Sequence, residues 1–384
     1  MDTPPQTVDQ TAGKPAAAAW RAFVLTATAT FAALMLACLL LVLAMNPYGN
    51  LPTGLFATHV IMDINQRYQY PAIVRAKTYD AIVIGTSTSR LLDPSALERA
   101  FGGRWANLAM NDSRAWEQVQ LAQLFVRHTP RPHALLVGID SVWCAPDADQ
   151  NRITRRGFPE WMYDEDLLND WLYVLNTTTV DVAVRQAVQR VGIFPPRVPH
   201  NGYEVFVPPD ATYDAPKARD KIWQFVRERR IVPARQPYRL KPGEPGVWQT
   251  PALDWLEHLL GALPDTTLRL LALMPVHIAA QPRPGHKTEA VLAECKRRLA
   301  ALADRHRAHL IDFMIPSEIT TNDDNYWDNL HYRVGVAARI VDGLAVAVQA
   351  PVPAQTAADT PWRSLARPAS GTGAPHNPGA PAMR

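Results

Sequence analysis

A chain of 384 residues exceeds the roughly 100–200 residues of an ordinary domain, so one large or two smaller domains fit. Hydrophobic residues make up 47% and charged residues 20%, which excludes disorder throughout the chain. A net charge of +3, from 39 basic and 36 acidic side chains, leaves no electrostatic footprint for a nucleic-acid partner.

Residues 1–22 read as a cytoplasmic tail, since the first nineteen carry no apolar period. From Phe23 to Met45 no side chain is charged. Roughly 20 apolar residues rising 1.5 Å each cross a hydrocarbon core of about 30 Å, so residues 23–45 are long enough to span a membrane. A signal-peptide core is shorter, about 7–15 residues, and ends at a small-x-small site that Leu43-Ala44-Met45 does not provide. An uncleaved anchor is therefore expected. Cys38 lies in the middle of this run, which argues against a lipoprotein site. Lys14 and Arg21 precede the run and the next charge is Asp63, so the N-terminus is expected inside and the remainder outside.

Short apolar runs then alternate with helical patterns. Ala81 to Ile84, Ala134 to Ile139, Leu268 to Met274 and Leu310 to Phe313 read as strands. Ser95 to Phe101, Trp116 to His128, Thr288 to Arg305 and Val334 to Val348 read as helices. This alternation predicts an α/β domain over residues 46–350 with a parallel sheet covered on both faces. Ligands in such sheets gather at the carboxyl ends of the strands, here Gly85-Thr86-Ser87, Asp140-Ser141 and Met274 to His277. Residues 145–247 break the pattern with aromatic-rich helical stretches and proline-rich turns. They read as a helical insertion, either a lid over the site or a plain cap. Residues 351–384 are built from Pro, Ala, Gly, Ser and Thr and are expected to be disordered.

Three cysteines exclude a disulfide scaffold and a four-thiolate zinc site. With Cys38 in the apolar run, Cys144 and Cys295 remain, either bridged in an oxidising compartment or buried as free thiols. His306 and His309 lack a third ligand nearby, and no phosphate-binding loop or dinucleotide fingerprint occurs, so neither metal nor cofactor is expected.

Two patterns carry chemistry. Gly85-Thr86-Ser87 follows the first strand, where a tight turn lifts a serine hydroxyl clear of the sheet. Far downstream, Asp328 precedes His331 by three residues, a spacing that lets a carboxylate orient an imidazole for taking a proton from serine.

With the blocks VIGTSTSR, WANLAMNDSRAWEQ, LLVGIDS and YWDNLHYR, the chain resembles the SGNH (GDSL-like) hydrolase superfamily, in particular membrane-anchored bacterial members related to exopolysaccharide O-acetylation proteins. The resemblance covers roughly residues 75–145 and 265–348. It implies a three-layer flavodoxin-like sandwich, with Ser87 as nucleophile, His331 as general base and Asp328 as its orienting partner. It also implies a single-pass protein of the bacterial inner membrane whose main domain is periplasmic. Two positions depart from the family pattern. Asp112, after Asn111, stands where a glycine N–H usually helps form the oxyanion hole, and backbone donation survives that change. Asp140 stands where an asparagine usually donates, and an ionised carboxylate cannot donate. Asp140 is then protonated, turned away, or a weakness of the site; the Asn111 side chain is a candidate to replace the missing donor. The expected function is a serine esterase or O-acyltransferase acting on an acylated cell-envelope glycan. The competing expectation is an inactive domain of the same type that binds glycan or an envelope protein.

Overall fold

In the computed structural model, residues 13–349 are described apart from 52, 54, 57–59, 196–197 and 227, together with 360–368. Helix α1 (Gly13–Met45) is followed by α2 (Gln66–Arg75), β1 (Ala81–Ile84), α3 (Pro94–Phe101) and β2 (Trp105–Asn107). Next come α4 (Ala115–His128) and β3 (Ala134–Ile139), then α5 (Leu167–Val174), α6 (Thr177–Arg190) and α7 (Ala215–Trp223) within the expected insertion. The chain continues through α8 (Pro251–Gly261), β4 (Leu268–Leu273), α9 (Lys287–Arg305), β5 (His309–Asp312), α10 (Val334–Gln349) and β6 (Arg363–Ala366).

The sheet order is β2-β1-β3-β4-β5-β6, parallel from β2 to β5 and antiparallel between β5 and β6. Alternate side chains of each strand enter two separate cores. Ile82, Ile84, Leu135, Val137, Leu271 and Leu273 pack with Leu121 of α4, Leu256 of α8 and Leu299 of α9. Ala81, Val83, Leu136, Leu270 and Ala272 pack with Leu97 of α3 and Ile340 and Leu344 of α10. Burial on both faces explains why these strands read as unbroken apolar runs. The order reverses between β1 and β3, and in open α/β sheets that reversal is where the strand ends leave a crevice.

Two expectations need correction. Residues 13–22, expected as tail, are the first turns of α1, because the alanines at 16–19 are strong helix formers. The apolar segment of that helix runs from Ala17 to Met45. Within 351–384, expected as disordered, Arg363–Ala366 pairs with the outer edge of β5, Leu310 facing Ala366. Trp362 is buried in the α10-side core, so a few apolar residues in a Pro- and Ala-rich tract suffice to dock this strand. Residues 351–359 and 369–384 of that call, and residues 1–12, lie outside the described residues.

Cys144 and Cys295 form a disulfide, with Cα atoms 5.8 Å apart, that ties the end of the β3 loop to α9. At the other end of the insertion's first half, α6 packs along the close of α1: Val42, Leu51, Val174 and Ala183 form a small core of their own.

Candidate active site

The turn after β1 is shaped by one crowded niche. Ser87–Ser89 form a single 3-10 turn, and the Ser89 hydroxyl is packed between Gly85 and Gly138, where a Cβ on either glycine would overlap it. Asn107, at the end of β2, holds the turn from beneath: its amide donates to the carbonyls of Ser89 (2.9 Å), Arg90 (3.1 Å) and Leu92 (2.8 Å). Ser87 is thereby left half-buried at the carboxyl end of the sheet, beside the β1/β3 reversal.

The second part is a hairpin before α10, in which Tyr326 and Tyr332 pair as an antiparallel bridge. His331 Nε2 lies 2.9 Å from Ser87 Oγ, and His331 Nδ1 lies 2.8 Å from Asp328 Oδ2. Facing a carboxylate, Nδ1 carries the hydrogen, which assigns Nε2 as the acceptor for the serine proton. Asp328 Oδ1 also accepts the N–H groups of Leu330 (2.8 Å) and His331 (2.9 Å). Burial raises the Asp328 carboxyl, but the hydrogen bond and charge of His331, with those two N–H groups, more than offset it and hold the group below its ordinary value. Ser87 and His331, 244 residues apart, are brought together with Asp328 by the fold. The arrangement can generate a serine nucleophile by transferring its proton to imidazole.

The three expected oxyanion positions fare differently. Met110 N–H and the Ser113 hydroxyl both donate to Gly85 O (2.9 and 3.1 Å), so the 110–113 loop is stitched to the turn that carries Ser87. Asn111 Oδ1 accepts from Arg90 (2.8 Å), which leaves its amide nitrogen without an acceptor among the described residues. Asp112 has φ +52°, a left-handed conformation that Asp tolerates, and its side chain is 70% exposed beside Arg156. Asp140 is folded back: one carboxylate oxygen accepts the Thr86 hydroxyl and the other the Val142 N–H (3.1 Å). Burial pushes its carboxyl above the ordinary value, with Thr86, Val142 and Thr88 opposing.

Several residues at the site carry no signal of their own in the sequence. Arg67 and Glu117 form a fully buried bidentate pair (3.0 and 2.8 Å), and Arg67 also donates to the carbonyls of Asn111 (3.2 Å) and Asp112 (3.4 Å). From the insertion, Glu204 pairs with Arg90, and Phe206 meets the His331 ring edge-on at 5.4 Å while carrying the Arg90 guanidinium over its face at 4.8 Å. Phe206 of the insertion thus lies against His331, and Glu204 and Phe206 together hold Arg90. His277, at the end of β4, is buried behind the hairpin. Its Nδ1 accepts Ala279 N–H (3.1 Å), its backbone N–H donates to Asn329 O (3.0 Å), and its Nε2 is 3.1 Å from Asp323. Burial lowers the His277 pKa, with Asp323 opposing, so this imidazole is a neutral support of the hairpin. No group of three or more His, Cys, Asp and Glu is placed to hold a metal among the described residues.

Comparison of the chain with protein-family models and with curated proteins gives no match.

Proposed function

We propose that this chain is a membrane-anchored periplasmic serine esterase or O-acyltransferase of the SGNH type, acting on an acylated cell-envelope glycan. The observation that carries the reading is the unbroken line from Ser87 through His331 to Asp328, at 2.9 and 2.8 Å. The strand order β2-β1-β3-β4-β5 is that of flavodoxin-like sheets and agrees with it. The buried junction of α1 with α6 favours a retained anchor over a cleaved signal, because removing α1 would uncover Ala183 and Val174. The disulfide favours an oxidising compartment.

In the proposed reaction Ser87 Oγ adds to the ester carbonyl as its proton passes to His331 Nε2. Asp328 stabilises the imidazolium, and the alcohol departs with that proton, leaving an acyl–serine. Water or a second sugar hydroxyl then attacks, returns a proton through His331 to Ser87, and releases the acid or the new ester. The N–H groups of Asn111 and Asp112 and the Asn111 amide are the donors offered to the oxyanion, since none has an acceptor among the described residues.

One observation favours a second reading, an inactive domain of this type that binds glycan or an envelope protein. Asp140 places a carboxylate where the resembled family offers a donor, next to the nucleophile turn. Treatment of the full-length protein with a fluorophosphonate, followed by peptide mapping, separates the two. Covalent modification of Ser87 is expected; its absence in folded protein selects the binding reading.

A further inference from the structure

Helix α5 is turned the wrong way for a helix that meets only water. It buries Asp170 (1% exposed) and Val174, while Leu168 and Leu172, one turn apart, are each 80% exposed. Burial raises the Asp170 carboxyl to about 6, with Arg75 opposing, so this orientation carries an electrostatic penalty. Single exposed leucines are ordinary, but a stripe at helical spacing, continued by Leu175 at 51%, marks a contact surface.

The position of the stripe along α1 says what it contacts. Every residue of α1 from Trp20 to Ala37 is exposed, and Val42 is the first buried residue after Trp20, packed in the core shared with Val174 and Ala183. Trp20 stacks on Phe23 at 5.6 Å, an aromatic pair suited to a membrane–water boundary. A hydrocarbon core of about 30 Å takes roughly 20 residues, so a span counted from Trp20 ends close to Leu40. Protein packing therefore begins where the hydrocarbon stops. At the same level, Leu55 bonds the carbonyl of Ala44 (3.4 Å) and is 74% exposed, and Phe56 lies under the Arg190 guanidinium at 4.0 Å.

We propose that the apolar stripe of α5, together with Leu55 and Phe56, seats in the headgroup–acyl boundary of the bilayer that α1 crosses. The domain is then held against the membrane by a second, monotopic contact. This rests on the reading of α1 as a retained anchor.

The test uses the full-length protein with Cys38→Ser, carrying one added cysteine labelled with an environment-sensitive fluorophore. It is reconstituted in vesicles of phosphatidylethanolamine and phosphatidylglycerol that contain quencher-bearing lipids. Labels at Leu168→Cys and Leu172→Cys are expected to emit to the blue and to be quenched more by a quencher near the headgroup than by one near the chain terminus. A label at Leu34→Cys should show the opposite depth preference, and one at Arg297→Cys, on α9, no quenching. If Leu34 is quenched and neither α5 position is, the stripe proposal falls while the anchor stands. If no position is quenched, both fall. A blue-shifted but unquenched label on α5 means that protein covers the stripe, which also overturns the proposal.

Discussion

The Tyr332 hydroxyl donates to the carbonyl of Thr88, fastening the hairpin that carries Asp328 and His331 to the turn that carries Ser87. Tyr332 is buried, and burial pushes its phenol well above the ordinary value, so it remains a neutral donor. A bond that involves neither side chain thus helps to hold Ser87 and His331 at their distance. Tyr332→Phe should leave a buried carbonyl unpaired, at a cost of about 1–3 kcal/mol measured by urea unfolding. It should also slow fluorophosphonate labelling, by up to about 10²-fold for a misplacement near 1 Å. Unchanged labelling alongside lost stability would show that the hairpin is positioned by other contacts.

Ser87→Ala and His331→Gln should each abolish labelling with the melting temperature preserved. Asp328→Asn should reduce it by on the order of 10⁴, through the wrong imidazole tautomer. Because the Asp328 carboxyl is held low in the folded protein, its contribution to stability is complete above the ordinary carboxylate range. It is lost as pH falls through the lowered value. The difference in melting temperature between wild type and Asp328→Asn should therefore be largest near neutrality and shrink in acid.

Asp140→Asn tests the opposite shift. Burial raises the Asp140 pKa, so the folded state pays to ionise it, and this penalty grows as pH rises from the ordinary carboxylate value through the raised one. The variant should be more stable than wild type above that window and no more stable below it. Removing a negative charge beside the Ser87 turn should also speed labelling, by at most about 10²–10³, the worth of one oxyanion donor. That gain should fade on acidification, as wild-type Asp140 takes up its own proton. A gain independent of pH would refute the electrostatic explanation.

Arg67→Leu should cost about 3–5 kcal/mol, because it strands the buried Glu117 carboxylate. It should also loosen the loop whose Asn111 and Asp112 carbonyls Arg67 holds, lowering the labelling rate. Combining it with Glu117→Leu should cost clearly less than the sum of the two single changes, by urea unfolding of all four proteins.

The strands that were legible in the sequence, β1, β3, β4 and β5, are buried runs of four to six residues that are almost wholly apolar. β2 is three residues ending in the polar Asn107, and β6 is four residues inside a Pro- and Ala-rich tract. Each exists because a neighbouring strand offers an open edge, and no local pattern records that. At the site, Ser87 and the Asp328/His331 pair were readable because each motif is local. The Arg67–Glu117 pair, fifty residues apart, and the Asn107 amide beneath the turn act only across the fold. Phe206 and Glu204 lie in the insertion, which read as helices and turns without any hint of which stretch reaches the triad.

The niche around Ser89 turns three separated positions into one unit of inheritance. A side chain at Gly85 or Gly138 demands that Ser89 shrink or leave, and both glycines leave room for the one hydroxyl. The Ser89 hydroxyl in turn has no hydrogen-bond partner among the described residues, so the place of that side chain is owed to shape. Changes at these positions are tolerated only in concert. Distant kin of this chain should therefore be recognisable by a discontinuous signature, two glycines at neighbouring strand ends and a small residue one turn past the first. That signature would survive where the contiguous blocks have drifted apart.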